Sequence, residues 1–123
     1  MRLIGVYNAD GGLVGELSYF FGHLVGVRSC TLCDITHSPF AKKQQWKDLE
    51  KRLADELGVV FELVHKNERT PAQLAASDKR EPCVLFEDAE GNLSMILDWT
   101  DLKLARGRVD AFERAVRAKL LMY

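Results

Sequence analysis

Three side chains that could do chemistry lie close together in the stretch SCTLCDITHSP, residues 29–39: Cys30, Cys33 and His37. Two thiols separated by two residues can form a reversible disulfide, and a nearby cation that lowers the pKa of one thiol makes it a nucleophile. In this interpretation Cys30 attacks, Cys33 resolves the mixed disulfide, and His37 carries protons near neutral pH. The spacing therefore predicts a thiol–disulfide site that needs no cofactor.

The same stretch also resembles part of a zinc site. Zinc favours thiolate and imidazole ligands in a tetrahedral shell, so the two cysteines and the histidine could supply three ligands. A structural site needs a fourth ligand, for which Cys83 is the first candidate and His23, His65 and Asp34 are weaker ones. The sequence contains no second C-x-x-C, which leaves the zinc interpretation incomplete.

A third interpretation assigns no chemistry to the stretch. Free cysteines are often buried as small apolar residues, and Asp34, His37 and Ser38 can satisfy backbone groups around the start of a helix. His65, at the end of a predicted strand beside Lys66, is expected at the surface. The redox, zinc and structural interpretations all stay open at this point.

The composition is that of an ordinary globular chain. Its 123 residues are 47% hydrophobic and 28% charged, with a formal net charge of −1, and we expect residues 1–123 to form one domain. This charge gives no reason to expect nucleic acid as a partner. The apolar window 13–27 is too short and polar to span a membrane. Without a signal-peptide pattern we expect a cytoplasmic protein, acting on protein thiols or small thiols.

Hydrophobic periodicity predicts strands that alternate with helices. Short apolar runs predict strands at 3–7, 59–64, 83–86 and 93–99, the last two joined into a hairpin by DAEGN at 88–92. Apolar residues at helical spacing predict helices at 13–24, 39–57, 71–77 and 108–121. Pro39 and Gly58 fit the two ends of the second helix, and Thr70 and Gln73 form a capping box before the third. The order predicts an α/β fold with a mixed sheet.

This order of elements resembles the thioredoxin superfamily, and the proline-led hairpin EPCVLFEDAEGNLSMIL is part of the likeness. The resemblance implies a single thioredoxin-like domain with a central mixed four-stranded sheet, a C-terminal antiparallel hairpin and flanking helices. It implies that strands 3–7 and 59–64 are parallel neighbours. It also implies a cis peptide bond before Pro82, which would lie beside the active cysteines and shape the substrate-facing edge.

The chain departs from the family pattern in where its cysteines lie. The family has the C-x-x-C directly after the first strand, whereas that position here reads NADGGLVG, at 8–15, without cysteine. Residues 27–38 can span up to about 40 Å when extended, which is long enough to return to the edge where the first strand ends.

We therefore expect a small cytosolic thiol–disulfide oxidoreductase or redox-responsive protein. The alternatives are a zinc-binding domain and a thioredoxin-fold interaction module without catalysis. The absence of cysteine from NADGGLVG favours the interaction module.

Overall fold

A computed structural model describes residues 1–8, 31–36 and 43–122. Four strands and five α-helices, with one short 3-10 helix at Lys66–Glu68, occupy these residues. The strands are β1 (Arg2–Val6), β2 (Val60–Val64), β3 (Cys83–Glu87) and β4 (Leu93–Leu97). The helices are α1 (Thr31–Thr36), α2 (Gln44–Leu57), α3 (Pro71–Ser77), α4 (Trp99–Leu104) and α5 (Val109–Leu120).

The four strands form one mixed sheet in the order β2-β1-β3-β4. β1 and β2 are parallel, while β3 runs antiparallel to both β1 and β4. The predicted α/β class, the four-stranded mixed sheet, the parallel first pair and the terminal antiparallel hairpin are all confirmed. The β2 and β3 strands differ from their predicted bounds by one residue at one end, and β1 is shifted by one residue toward the N-terminus.

The two faces of the sheet bury different sets of side chains, because successive residues of a strand point to opposite faces. On one face Leu3, Tyr7 and Phe61 pack against apolar residues of α1, α2, α4 and α5. Trp46 of α2 and Phe112 of α5 meet there with ring centroids 5.3 Å apart, and both side chains are buried. The opposite face carries a smaller cluster, Ile4, Val6, Val64, Cys83 and Leu85, against which Ala76 of α3 packs.

Helix α3 begins and ends where the sequence predicted. The Thr70 hydroxyl accepts a hydrogen bond from the Gln73 backbone N–H at 3.2 Å, and the Gln73 side chain accepts one from the Thr70 N–H at 3.0 Å. Pro71 occupies the first helical position, where a missing N–H costs nothing. Local capping chemistry is therefore enough to define this helix.

The second helix does not run unbroken from Pro39, which itself lies outside the described residues. Lys43 is extended, with φ −65° and ψ 142°, and α2 begins at Gln44. The Lys43 N–H donates to the carbonyl of Thr36 at 2.9 Å, so the end of α1 holds the start of α2. Gly58 ends the helix with φ 64°, as predicted. Trp46, Leu49 and Leu53 are buried, whereas Leu57 is 40% exposed.

Two short helices were not predicted from the sequence. No helix is predicted at residues 31–36, yet they form α1, with Leu32, Ile35 and Thr36 buried. The strand predicted at 93–99 is two residues too long: β4 ends at Leu97, and Asp98 caps α4 by accepting hydrogen bonds from the Thr100 and Asp101 N–H groups. Burial of its side chains stabilises α1, and the Asp98 cap stabilises α4, although the intrinsic helix propensity of both sequences is weak.

The last helix follows its prediction closely. Val109, Phe112 and Val116 of α5 are buried, as their spacing indicated. The helix predicted at 13–24 lies outside the described residues. Within the described parts of the chain, none of the helices combines the length and the apolar character that crossing a bilayer requires.

Candidate functional site

The carboxyl ends of β1 and β2 and the start of β3 lie along one edge of the sheet. Val6 pairs with Val64 on one side and with Cys83 on the other. The Tyr7 N–H donates to the Val64 carbonyl at 2.9 Å, so the pairing continues one residue past β1. We call the three residues directly beyond these strand ends, Tyr7, His65 and Pro82, the carboxyl rim.

Helix α1 is anchored to the carboxyl rim. The hydroxyls of Tyr7 and Thr36 are hydrogen bonded at 2.9 Å in a buried environment. Leu32 and Ile35 are fully buried on the same face of the sheet as Tyr7. A Cβ added at Gly5 would lie 3.2 Å from the Leu32 Cδ2, so glycine in β1 leaves room for the helix.

The anchored helix carries the middle of the predicted site. α1 begins one residue after Cys30 in the sequence, contains Cys33, and ends one residue before His37. Cys30 and His37 lie outside the described residues, as does the side chain of Cys33. The backbone that bears Cys33 thus lies one helical turn from a side chain that contacts the rim.

Pro82 lies at the rim as the resemblance implied, buried and with a cis peptide bond to Glu81. The Glu81 carboxylate accepts a hydrogen bond from the Arg69 guanidinium at 2.6 Å and one from the Lys79 N–H at 3.2 Å. Burial alone would raise the pKa of Glu81, but its hydrogen bonds and the charge of Arg69 outweigh that and hold the pKa below its ordinary value. Glu81 is therefore an ionised anchor for the segment before Pro82.

Arg69 also links this segment to the turn after β2. Besides Glu81, it donates to the Ser77 hydroxyl at 2.9 Å and to the Lys66 carbonyl at 3.0 Å. Lys66 belongs to the 3-10 helix that follows His65. The Arg69 guanidinium therefore links the segment that follows His65 to the segment that precedes Pro82.

The contacts of His65, a rim residue, were not predicted, because the sequence indicated only a surface histidine. Its Nδ1 lies 2.7 Å from the Glu68 carboxylate, which also accepts the His65 backbone N–H at 2.7 Å. Both hydrogen bonds lower the pKa of Glu68, and the bond from the backbone N–H has the larger effect. The imidazole contacts the Tyr7 ring with centroids 5.0 Å apart. The sequence signal for the contact with Glu68 was a His-x-x-Glu spacing directly after a predicted strand.

Cys83 lies on the other face of the sheet from α1. Its side chain packs with Val6, Val64 and Leu85, whereas Leu32 and Ile35 of α1 belong to the cluster on the opposite face. Burial, with a smaller contribution from the Glu81 charge, raises the pKa of the Cys83 thiol to about 12. Zinc is bound by thiolates, so these surroundings disfavour Cys83 as the fourth ligand.

The described residues contain no cluster of three or more His, Cys, Asp or Glu side chains placed to hold a metal ion. A surface cleft of about 470 Å³ is lined by residues of α2 and of the start of α5. Its arginines are already ion paired, Arg52 with Glu113 and Arg108 with Asp110. Because Asp48 adds a third carboxylate to the two that are paired, the lining of the cleft carries an excess of one negative charge.

The chain was compared with protein-family models, with curated proteins and with solved structures, and no match was found in any of the three.

Proposed function

We propose that this protein is a thioredoxin-like thiol–disulfide oxidoreductase or redox-responsive protein in which Cys30 and Cys33 are the redox pair. The observation that carries the proposal is the buried hydrogen bond between Tyr7 and Thr36, because it ties the helix that bears Cys33 to the carboxyl rim. The strand directions and the position of Pro82 at the same rim support a thioredoxin-like fold.

The proposed reaction is exchange between the cysteine pair and a disulfide of a protein or small thiol. The Cys30 thiol loses its proton and attacks one sulfur of the substrate disulfide, which releases one substrate thiolate and leaves a mixed disulfide. Cys33 then attacks Cys30, forms the Cys30–Cys33 disulfide and releases the second substrate thiolate. The two protons pass to the departing thiolates, with His37 as a carrier, and two electrons move from the pair to the substrate.

Pro82 and Cys83 have different places in this proposal. Pro82 would shape the edge on which the substrate backbone lies. Cys83 takes no part, because its buried thiol has a pKa of about 12 and lies on the other face from α1. This makes Cys83→Ala a matched control for substitutions of the other two cysteines.

The test is to equilibrate the purified protein in glutathione buffers and to measure the Cys30–Cys33 disulfide by mass spectrometry of its peptides. Reduction of oxidised glutathione is measured in parallel. We expect a reversible Cys30–Cys33 disulfide and turnover that is lost in Cys30→Ser and Cys33→Ser but kept in Cys83→Ala.

Two other results would contradict the redox proposal. One zinc ion per chain, released when Cys30 and Cys33 are modified, would support the zinc-binding alternative. If the two serine variants change neither metal content nor thiol exchange, the interaction-module alternative is favoured.

A further inference from the structure

We propose that strand β4 is the contact between two copies of this chain, which pair through their β4 edges across a two-fold axis. β4 lies at one end of the sheet, and no strand of the described residues pairs with its outer side. An open edge of this kind is a template for another strand. The inference concerns an interaction surface and does not depend on the redox proposal.

The hydrogen bonds of the hairpin show which backbone groups of β4 are unpaired. The Asp88 N–H donates to the Asn92 carbonyl at 3.0 Å, so these two residues form a hydrogen-bonded pair of the antiparallel ladder. Alternation from this pair directs the backbone groups of Ser94 toward β3 and those of Leu93 and Met95 outward. Two N–H groups and two carbonyls on the outer edge therefore have no hydrogen-bond partner among the described residues.

The side chains of this edge leave apolar surface partly uncovered. Leu93 and Met95 are only partly buried, and both pack at the border of the smaller core cluster. β4 contains neither a charged residue nor a proline, which are common devices for protecting an edge strand. The register shift at Ile96 limits the regular edge to residues 93–95. A partner strand for this edge must therefore be short and apolar.

A second copy of β4 meets this requirement. With the two-fold axis at Ser94, Leu93 of one copy lies opposite Met95 of the other, and the two such pairs close four hydrogen bonds. Leu93 and Met95 of both copies then lie side by side on the face of the smaller core cluster and cover one another. Ser94 lies opposite Ser94 of the second copy, so no like charges meet. Because the contact uses the same edge on both chains, it closes as a dimer.

Charge favours β4 over β2, the strand at the other end of the sheet. The Val64 carbonyl bonds to the residue after β1, so alternation leaves the backbone groups of Phe61 and Leu63 facing outward. The same two-fold pairing of β2 would centre on Glu62 and place two carboxylates opposite each other, which is destabilising. Arg2 offsets only part of this repulsion, because it is shared with a second carboxylate, on β3.

The first test uses the unmodified chain, with reductant present so that no intermolecular disulfide contributes. Because the contact strip is short, we expect sedimentation velocity to show a monomer that converts to a dimer as the concentration rises. Amide hydrogen exchange followed by NMR should slow at Leu93 and Met95 in proportion to the loss of free monomer. Exchange at Phe61 and Leu63 should not depend on concentration.

The second test places charge at the two-fold axis. We expect Ser94→Lys and Ser94→Glu each to weaken dimerisation by about tenfold or more, because like charges would face each other. An equimolar mixture of the two variants should form a heterodimer, since opposite charges then meet. Val60→Lys, at an exposed position of β2, is the matched control and should leave the dimer unchanged.

Several results would overturn the inference. These are a chain that stays monomeric up to about 1 mM, a dimer whose protection appears at Phe61 and Leu63, and a dimer weakened by Val60→Lys but not by the Ser94 variants. The exchange measurement needs no substitution, so it decides the matter if a Ser94 variant does not fold. None of these outcomes bears on the Cys30–Cys33 disulfide, which is measured separately.

Discussion

Arg69 and Glu81 form an ion pair that is almost completely buried: the guanidinium Nη1 lies 2.6 Å from the carboxylate Oε2, and each side chain is 6% exposed. Arg69 precedes α3, and Glu81 precedes Pro82 at the start of β3. The pair therefore joins the segment that enters α3 to the segment that enters β3. It holds in place the part of the carboxyl rim that contains Pro82.

Breaking this pair from one side should be costly, because the remaining charge stays buried without its partner. We expect Arg69→Ala or Glu81→Ala to lower the free energy of unfolding by about 3–5 kcal/mol in denaturant titrations. The matched control is Arg108→Ala, which breaks the exposed Arg108–Asp110 pair and should cost about 1 kcal/mol or less. Equal losses in the buried and exposed pairs would contradict the prediction.

Glu81 should also make stability depend on acid pH. Its folded pKa is below the ordinary value of 4.5, so folding favours the ionised carboxylate. The resulting stabilisation is present above the unfolded pKa and is lost as the pH falls through the folded pKa. We expect the free energy of unfolding to decrease below about pH 4.5, and the decrease to be shallower in Glu81→Gln. Parallel slopes in the two proteins would show that other carboxylates cause the decrease.

The Cys83 thiol should be inert while the protein is folded. With a pKa of about 12, raised by burial, it has roughly a thousandfold fewer thiolates at neutral pH than a free cysteine. We expect iodoacetamide to leave Cys83 unmodified in the native protein and to modify it fully in denaturant, as read by mass spectrometry. Modification of native Cys83 at the rate of an unstructured peptide would show that its surroundings open readily.

The Tyr7–Thr36 hydrogen bond should appear as a coupling between the two residues. In a double-mutant cycle of Tyr7→Phe and Thr36→Val, we expect a coupling energy of about 0.5–1.5 kcal/mol from equilibrium unfolding. Phenylalanine keeps the ring that contacts His65, so the cycle isolates the hydroxyl contact. Additive effects of the two substitutions would mean that this bond does not hold α1 to the rim.

Gly5→Ala should loosen α1, because the new Cβ would lie 2.9 Å from Leu63 and 3.2 Å from Leu32. Overpacking of this kind typically costs about 1–3 kcal/mol. We expect faster amide hydrogen exchange across Thr31–Thr36 than in the wild-type protein. Gly58→Ala is the control, since it strains a backbone with φ 64° but meets no atom within 4 Å. Equal effects of the two substitutions on α1 would rule out the packing explanation.

Elements with a strong local signal could be predicted from the sequence. α3 has a capping box and a proline at its first turn, α5 has a clear apolar stripe, and β1 and β3 are short apolar runs next to turn residues. Their signals lie within a few residues of each other, so no long-range contact is needed to recognise them. The parallel pairing of β1 with β2 and the rim position of Pro82 were expected from the family resemblance.

The elements that were missed depend on contacts between distant parts of the chain. α1 consists largely of weak helix formers, and it lies against β1 and the start of α2 through Tyr7, Gly5 and Lys43. The pairing of His65 with Glu68 was visible as a spacing, but its place beside Tyr7 required the parallel register of β1 and β2.

The sequence thus shows which residue types could do chemistry, whereas the positions of the Cys33 backbone and of the Cys83 side chain were decided by the tertiary structure. A cysteine is equally present in the sequence at positions 33 and 83. Because side chains alternate between the two faces along β3, the Cys83 side chain points into the smaller core cluster. The contact of Thr36 with Tyr7 places the backbone of Cys33 near the carboxyl rim. The physical reason is that strand pairing and burial depend on contacts across the whole chain, which no local pattern records.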